Sequence, residues 1–129
     1  MKLLLDTHIW LWNLHGSTRL APRVRELLRD PKNELWLSPI STWEALLLHA
    51  KGTVRFRGNL DDELERARAI TIEAPLTHEI ALAAHLLPFS HKDPADRFLA
   101  ATAKVLGLTL VTDDQRLLGL GDIATLANR

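Results

Sequence analysis

DPADRFLAATAKVLGLTLVTDD, residues 93–114, decides the fold. Asp93 before Pro94 is a helix-start signal: a carboxylate cap followed by a ring whose fixed φ suits the first helical position. Gly107 marks the helix end. LTLVT, residues 108–112, is then a short apolar β-branched run of the kind that forms a buried strand. Two acids, Asp113 and Asp114, follow it at once.

The same grammar recurs outward from this unit. Lys2–Leu5 reads as a buried strand, and the residues through about Asn13 as the start of a helix. Pro22 opens a helix that stops before Pro31. Glu34–Ser38 reads as a second strand and ISTWEALLLHAKG as a helix with Gly52 after its end. NLDDELERARAI is a helix capped by Asn59. Thr71–Ala74 is a weaker strand, Thr77–Leu87 a helix ending at Pro88, and Ile123–Leu126 a last short strand. Strands alternating with helices predict a mainly parallel sheet of four to five strands covered on both faces, a three-layer α/β/α domain.

With 129 residues, 47% of them hydrophobic, one domain over residues 1–129 is expected. Lys+Arg and Asp+Glu are 16 each, so net charge is zero and no global field attracts nucleic acid. The absence of cysteine excludes disulfides, thiolate metal sites and cysteine nucleophiles, and permits a reducing compartment. Asp6 and His8 interrupt the first apolar stretch, so it does not read as a signal peptide. No run approaches the roughly 18 apolar residues of a membrane span. A cytoplasmic location is expected. No Walker, Rossmann or Ser/His/Asp pattern is present.

In an open parallel sheet, ligands bind beyond the carboxyl ends of the strands. Acids gather at that edge: Asp6 after the first strand, Glu44 in the first turn of the helix after the second, Asp96 in the first turn of its helix, and Asp113 and Asp114 after LTLVT. Singly, each has a helix-capping explanation. Ser41 and Glu44 fit a capping box, Asp96 complements a helix dipole, Asp113 could cap a turn or short helix, and Asp6 whatever follows it. Together that explanation needs four or five caps at one edge. Clustered carboxylates repel, and a divalent cation relieves the repulsion. Oxygen ligands without cysteine suit Mg²⁺ or Mn²⁺, one ion or two about 4 Å apart, activating water against a phosphodiester.

At this point the chain resembles the PIN domain, and within it the VapC-type toxins of toxin–antitoxin pairs. The resemblance runs through LLLDTHIWLW, SPISTWEALLLHAKG, HKDPADRFLAATA and LTLVTDDQRL, in order and nearly end to end. It implies that Asp6, Glu44, Asp96 and Asp114 are the acidic metal-binding quartet, Asp114 rather than Asp113 because Thr112-Asp113-Asp114 aligns as Thr-x-Asp. Thr112 resembles the family's supporting polar residue. The resemblance further implies a Mg²⁺- or Mn²⁺-dependent endoribonuclease, a homodimer, and a cognate antitoxin whose peptide covers the cleft. It implies no organic cofactor and no membrane.

Around that quartet, Asp93 is read mainly as the helix cap. Arg97 and Arg116 are placed to neutralise the acids or hold a phosphate, and His8 to reach a phosphate or metal-bound water, though a packed or capping histidine explains it too. His91 is a weaker version of the same idea. Lys51, Arg55 and Arg57 are candidates for RNA or antitoxin contact, with a solvated surface as the alternative. Trp10, Trp12, Trp36 and Trp43 could stack bases, but packing in the core or a dimer explains them better. Two rivals differ in class. One is a catalytically silent PIN-like binding domain. The other is an aspartyl-phosphate phosphatase with Asp6 as nucleophile, against which stands His8 where that chemistry commonly places a second aspartate.

Overall fold

Strand β1 (Lys2–Leu5) has apolar side chains on both faces, and this puts it at the centre of the sheet. Leu3 and Leu5 point to one side with Trp10, Val24, Leu28 and Ala67, while Leu4 points to the other with Ile80, Leu99 and Leu110. The period of two along a strand separates them. Each such leucine contributes about 1.5–3 kcal/mol by leaving water. The computed structural model describes residues 1–56, 58–88 and 93–129.

Along the chain β1 is followed by α1 (Thr7–His15), α2 (Pro22–Arg29), β2 (Glu34–Leu37), α3 (Pro39–Ala50), α4 (Leu60–Ile70) and β3 (Ile72–Glu73). Then come α5 (His78–Leu86), α6 (Pro94–Leu106), β4 (Thr109–Thr112), α7 (Gln115–Leu118) and β5 (Ala124–Ala127). The sheet has five strands in the order β3-β2-β1-β4-β5, and every pairing is parallel. Leu4 stands beside Trp36 on one side and Leu110 on the other. The helices cover both faces, since parallel neighbours need crossovers and the crossovers are helical. The α/β/α expectation holds, with five strands and no antiparallel member.

The local causes are visible at element ends. Asp93 accepts a hydrogen bond from Ala95 N at 3.0 Å, Pro94 takes the first helical position of α6, and Gly107 ends it at φ 66°. The buried Leu99–Ala103 stretch is mostly alanine, which lets α6 pack closely in the layer shared with α5. Several boundaries differ from the sequence reading: β3 and α5 are each one residue shorter at both ends than Thr71–Ala74 and Thr77–Leu87, β4 begins at Thr109 rather than Leu108, and two further shifts have visible causes or consequences. Ser38 is not the last residue of β2 but the cap of α3, accepting from Ile40 N at 3.1 Å, with Pro39 at the first helical position. Thus α3 begins two residues before Ser41. The last strand runs Ala124–Ala127, one residue later than expected at each end. Among the described residues no helix is long and apolar enough to cross a membrane.

Candidate metal centre

The sheet winds outward in both directions from β1 and β4, so their carboxyl ends form a topological switch point, the place where open α/β sheets build sites. Asp6 follows β1 there. Its N–H donates to Val111 O at 3.0 Å, which continues the β1–β4 ladder one residue past the strand. Asp6 also caps α1. One carboxylate oxygen accepts from Thr7 N at 2.8 Å, and the other from Thr112 Oγ1 at 2.5 Å. Thr112, the last residue of β4, accepts the Asp114 N–H on the same hydroxyl at 3.1 Å. One buried hydroxyl therefore ties the ends of two strands to two acids.

A second hydroxyl does the same for the helix behind. Thr7 is buried, donates to Glu44 Oε1 at 2.5 Å, and lies 3.1 Å from the buried Ser41 Oγ. Because α3 starts at Pro39, Glu44 sits in its second turn, and the capping-box explanation for Glu44 falls. Asp96 is in the first turn of α6, only 8% exposed. Asp114 caps α7, accepting from Arg116 N at 2.9 Å, and pairs with the Arg116 guanidinium through Nε at 3.2 Å and Nη2 at 3.0 Å. The cap expected of Asp113 thus belongs to Asp114.

These groups face one cleft of about 570 Å³. Asp6, Glu44, Asp93, Asp96, Asp113 and Asp114 line it, together with His8, Trp12, Trp43, Leu47, Lys51 and Arg116. Burial pushes the Asp6 carboxyl above its usual range, the nearby Asp114 charge adds to this, and bonds from Thr112 and Thr7 together with the His8 ring act against it. Burial likewise raises Glu44, the Thr7 hydroxyl opposes it, and the Asp6 and Asp93 charges raise it further. Arg116, solvent-exposed, is raised first by its bond to Asp114 and then by the charges of Asp114, Asp96 and Asp93. The acids form one electrostatic cluster.

Such a cluster suits a hard divalent cation: all donors are oxygens, and negative charge is in local excess. Among the described residues no three His, Asp or Glu side chains are already gathered as a metal cage. The carboxylates of Asp6, Glu44 and Asp114 instead accept from hydroxyl, amide and guanidinium donors, and each carboxylate has more acceptor sites than these bonds use.

The remaining candidates divide. Asp93 is the α6 cap, as read, and also lines the cleft. His8 lines the cleft and stacks on Trp12 with ring centroids 5.8 Å apart. Lys51 is at the rim; Arg55 is exposed but not part of the lining. Arg97 departs from its expected role: its Nε and Nη2 donate to the Ala84 carbonyl at 3.1 and 2.7 Å, and Nη2 also reaches those of His85 and Leu87, so it closes the carboxyl end of α5. Arg57 and His91 lie outside the described residues. The tryptophans do not act as one group. Trp10 is core at 1% exposure, whereas Trp43 is 54% exposed in the cleft and so is no part of this chain's core. Thr7 was missed, although its place beside Asp6 at a strand–helix junction was a usable signal.

The sequence matches the model of the PIN domain over residues 3–122. No curated protein matches it. Among solved structures, the fold is similar to VapBC2 from Rickettsia felis bound to a promoter DNA fragment, with TM-score 0.72 and 16% identity over 98% of both chains. DNA-bound VapBC from Salmonella typhimurium matches with TM-score 0.72 and 16% identity, covering 100% of this chain and 99% of that one. A toxin–antitoxin complex from Klebsiella pneumoniae matches with TM-score 0.69 and 21% identity over 98% of both chains. At these identities the likeness is one of fold.

Proposed function

The chain belongs to the PIN domain family, and from that premise we propose that it is a divalent-metal-dependent endoribonuclease, the toxin of a VapC-type toxin–antitoxin pair. The observation that carries this reading is the cleft where Asp6, Glu44, Asp96 and Asp114 meet at the carboxyl ends of β1 and β4. The fold it shares with VapBC proteins and with a toxin–antitoxin complex supports the antitoxin partner. A single domain, a homodimer and a cytoplasmic setting complete the proposal.

The quartet would hold one or two Mg²⁺ or Mn²⁺ ions. Once bound, such an ion lowers the pKa of water and offsets charge building on a phosphodiester. The chain's own residues do the rest. Thr112 and Thr7 fix the rotamers of Asp6 and Glu44, so that the carboxylates are oriented before substrate arrives. Lys51 and Arg116, the cations that line the cleft among the described residues, face an incoming phosphate. Water attacks in line, and no covalent enzyme intermediate forms. An aspartyl-phosphate route gains no support, since the residue two on from Asp6, where that chemistry commonly places a second aspartate, is His8, stacked on Trp12.

The Arg116–Asp114 pair favours a second reading, a binding-only PIN domain whose fourth acid is neutralised internally. Purified protein is to be tested on a mixed-sequence fluorogenic RNA with Mn²⁺ or Mg²⁺, alongside EDTA and Asp96→Asn. Cleavage lost in both controls is the expected result. No cleavage together with no Mn²⁺ binding by calorimetry would instead establish the binding-only domain.

A further inference from the structure

We propose that Trp43 is a base-stacking platform beside the acidic centre, with the base next to the cut phosphate lying on this indole. The inference rests on the nuclease reading and deepens it. Of the four tryptophans, Trp10 is core, Trp12 is half-buried and stacks on His8, and Trp36 is half-buried with its N–H donating to Glu34. Trp43 alone of the four presents more than half its surface to water, 54%, and it does so inside the cleft.

Its position on α3 gives it meaning. Residues 43, 47 and 51 recur every four along one helix face, and all three line the cleft. They form a wall that is aromatic at Trp43, apolar at Leu47 (39% exposed) and cationic at Lys51, about 12 Å long at the rise of a helix. The wall begins at the residue next to Glu44. A phosphodiester held at the acids carries nucleosides on both sides, and Trp43 in the same cleft is placed to take the base of one of them. The facing side of the cleft is dominated by carboxylates. A π-face accepts every base, which is the sequence-tolerant contact of single-strand binders. A base inside a duplex is covered by its neighbours on both faces and cannot lie on the indole.

The test uses a fluorescein-labelled mixed-sequence RNA 12-mer, its perfect duplex, and an abasic strand with the same backbone. Binding is read by anisotropy in Ca²⁺, with strand integrity checked by gel, and cleavage is read separately in Mn²⁺. Trp43→Ala is expected to weaken binding of the base-bearing single strand about tenfold. Trp43→Phe is expected to restore it to within about threefold, the abasic strand to bind wild type and both variants alike, and the duplex to bind wild type more weakly than the single strand. Exposure of the side chain lets Trp43→Ala fold, which near-UV circular dichroism checks. Trp43→Ala that binds the single strand as wild type does, or loses the abasic strand equally, overturns the platform while leaving the nuclease intact. Loss of antitoxin binding with RNA binding retained also overturns it, making the wall a protein-docking surface. Wild-type protein that neither binds RNA nor cleaves it in Mn²⁺ overturns the nuclease reading and the platform with it.

Discussion

Thr112 donates its one hydroxyl proton to Asp6 and accepts the Asp114 amide proton on the same oxygen. Valine has the same shape and neither function. Thr112→Val leaves a half-buried N–H and a carboxylate oxygen each short of a partner, an expected loss of about 1–3 kcal/mol. That is a melting temperature lower by roughly 4 °C per kcal/mol, read by calorimetry. Thr112→Ser, which keeps the hydroxyl, is expected to recover most of it. Asp6 itself has a pH signature. In the unfolded chain it ionises near the ordinary 3.8, and in the folded chain, chiefly through burial, above that value. Between the two, the folded protein holds the extra proton, so stability falls as pH rises through the interval and stays lowered above it. Asp6→Asn cannot ionise and escapes this loss. In EDTA its melting temperature relative to wild type is therefore expected to be highest at pH 7 and to decline as pH falls toward 4. A difference that widens on acidification would mean that the Asp6 charge stabilises the metal-free fold.

At the scale of elements, α6 presents two acids three residues apart with different jobs. Asp93 accepts the Ala95 N–H as cap, and Asp96, buried, faces the centre. Asp93→Ser keeps a capping oxygen, and we expect stability within about 0.5 kcal/mol and cleavage within about threefold of wild type. Asp93→Ala is expected to lose about 1 kcal/mol in thermal denaturation. Asp96→Asn is expected to stay folded and lose cleavage. Should Asp93→Ser lose cleavage as fully, Asp93 belongs to the metal-holding set. The α6 start was legible because Asp-Pro and Gly107 are local signals, as were the β1 and β4 runs of adjacent apolar residues. The start of α3 was not. Ser38 and Ser41 can both cap, and only the pairing of β2 with β1 and β3 shows where the strand stops. That shift of register turned Glu44 from an apparent cap into a group held by Thr7, a contact across 37 residues that no local pattern contains. Arg97 failed for the same reason. Its neighbour Asp96 is close in sequence, but the carbonyls that take its guanidinium are on α5.

For the whole molecule, the gathering of Asp6, Glu44, Asp96 and Asp114 was legible because a parallel sheet gives every strand the same carboxyl edge, so acids after strands converge whatever the strand order. Which side chains wall the cleft was not, since that depends on how α3 lies beside α1 and α6. Zero net charge then becomes a statement about how RNA is held. Among the described residues six carboxylates and two cations, Lys51 and Arg116, line the cleft, so in this neutral chain the compensating positive charge lies away from it. Counterion release scales with the phosphates neutralised, about 0.7 per contact on a single strand. Two contacts give a slope of log K against log salt of about −1.4 in fixed divalent ion. A basic RNA binder making six or more contacts would show about −4 or steeper. Binding of a single-stranded 12-mer in Ca²⁺ between about 50 and 200 mM monovalent salt measures the slope. The shallow value is expected, because affinity resides in the cation at the acids and the base on Trp43. Lys51→Ala should flatten it by about 0.7, and Trp43→Ala should lower the whole line without tilting it. A steep slope would place the RNA on basic residues outside this cleft.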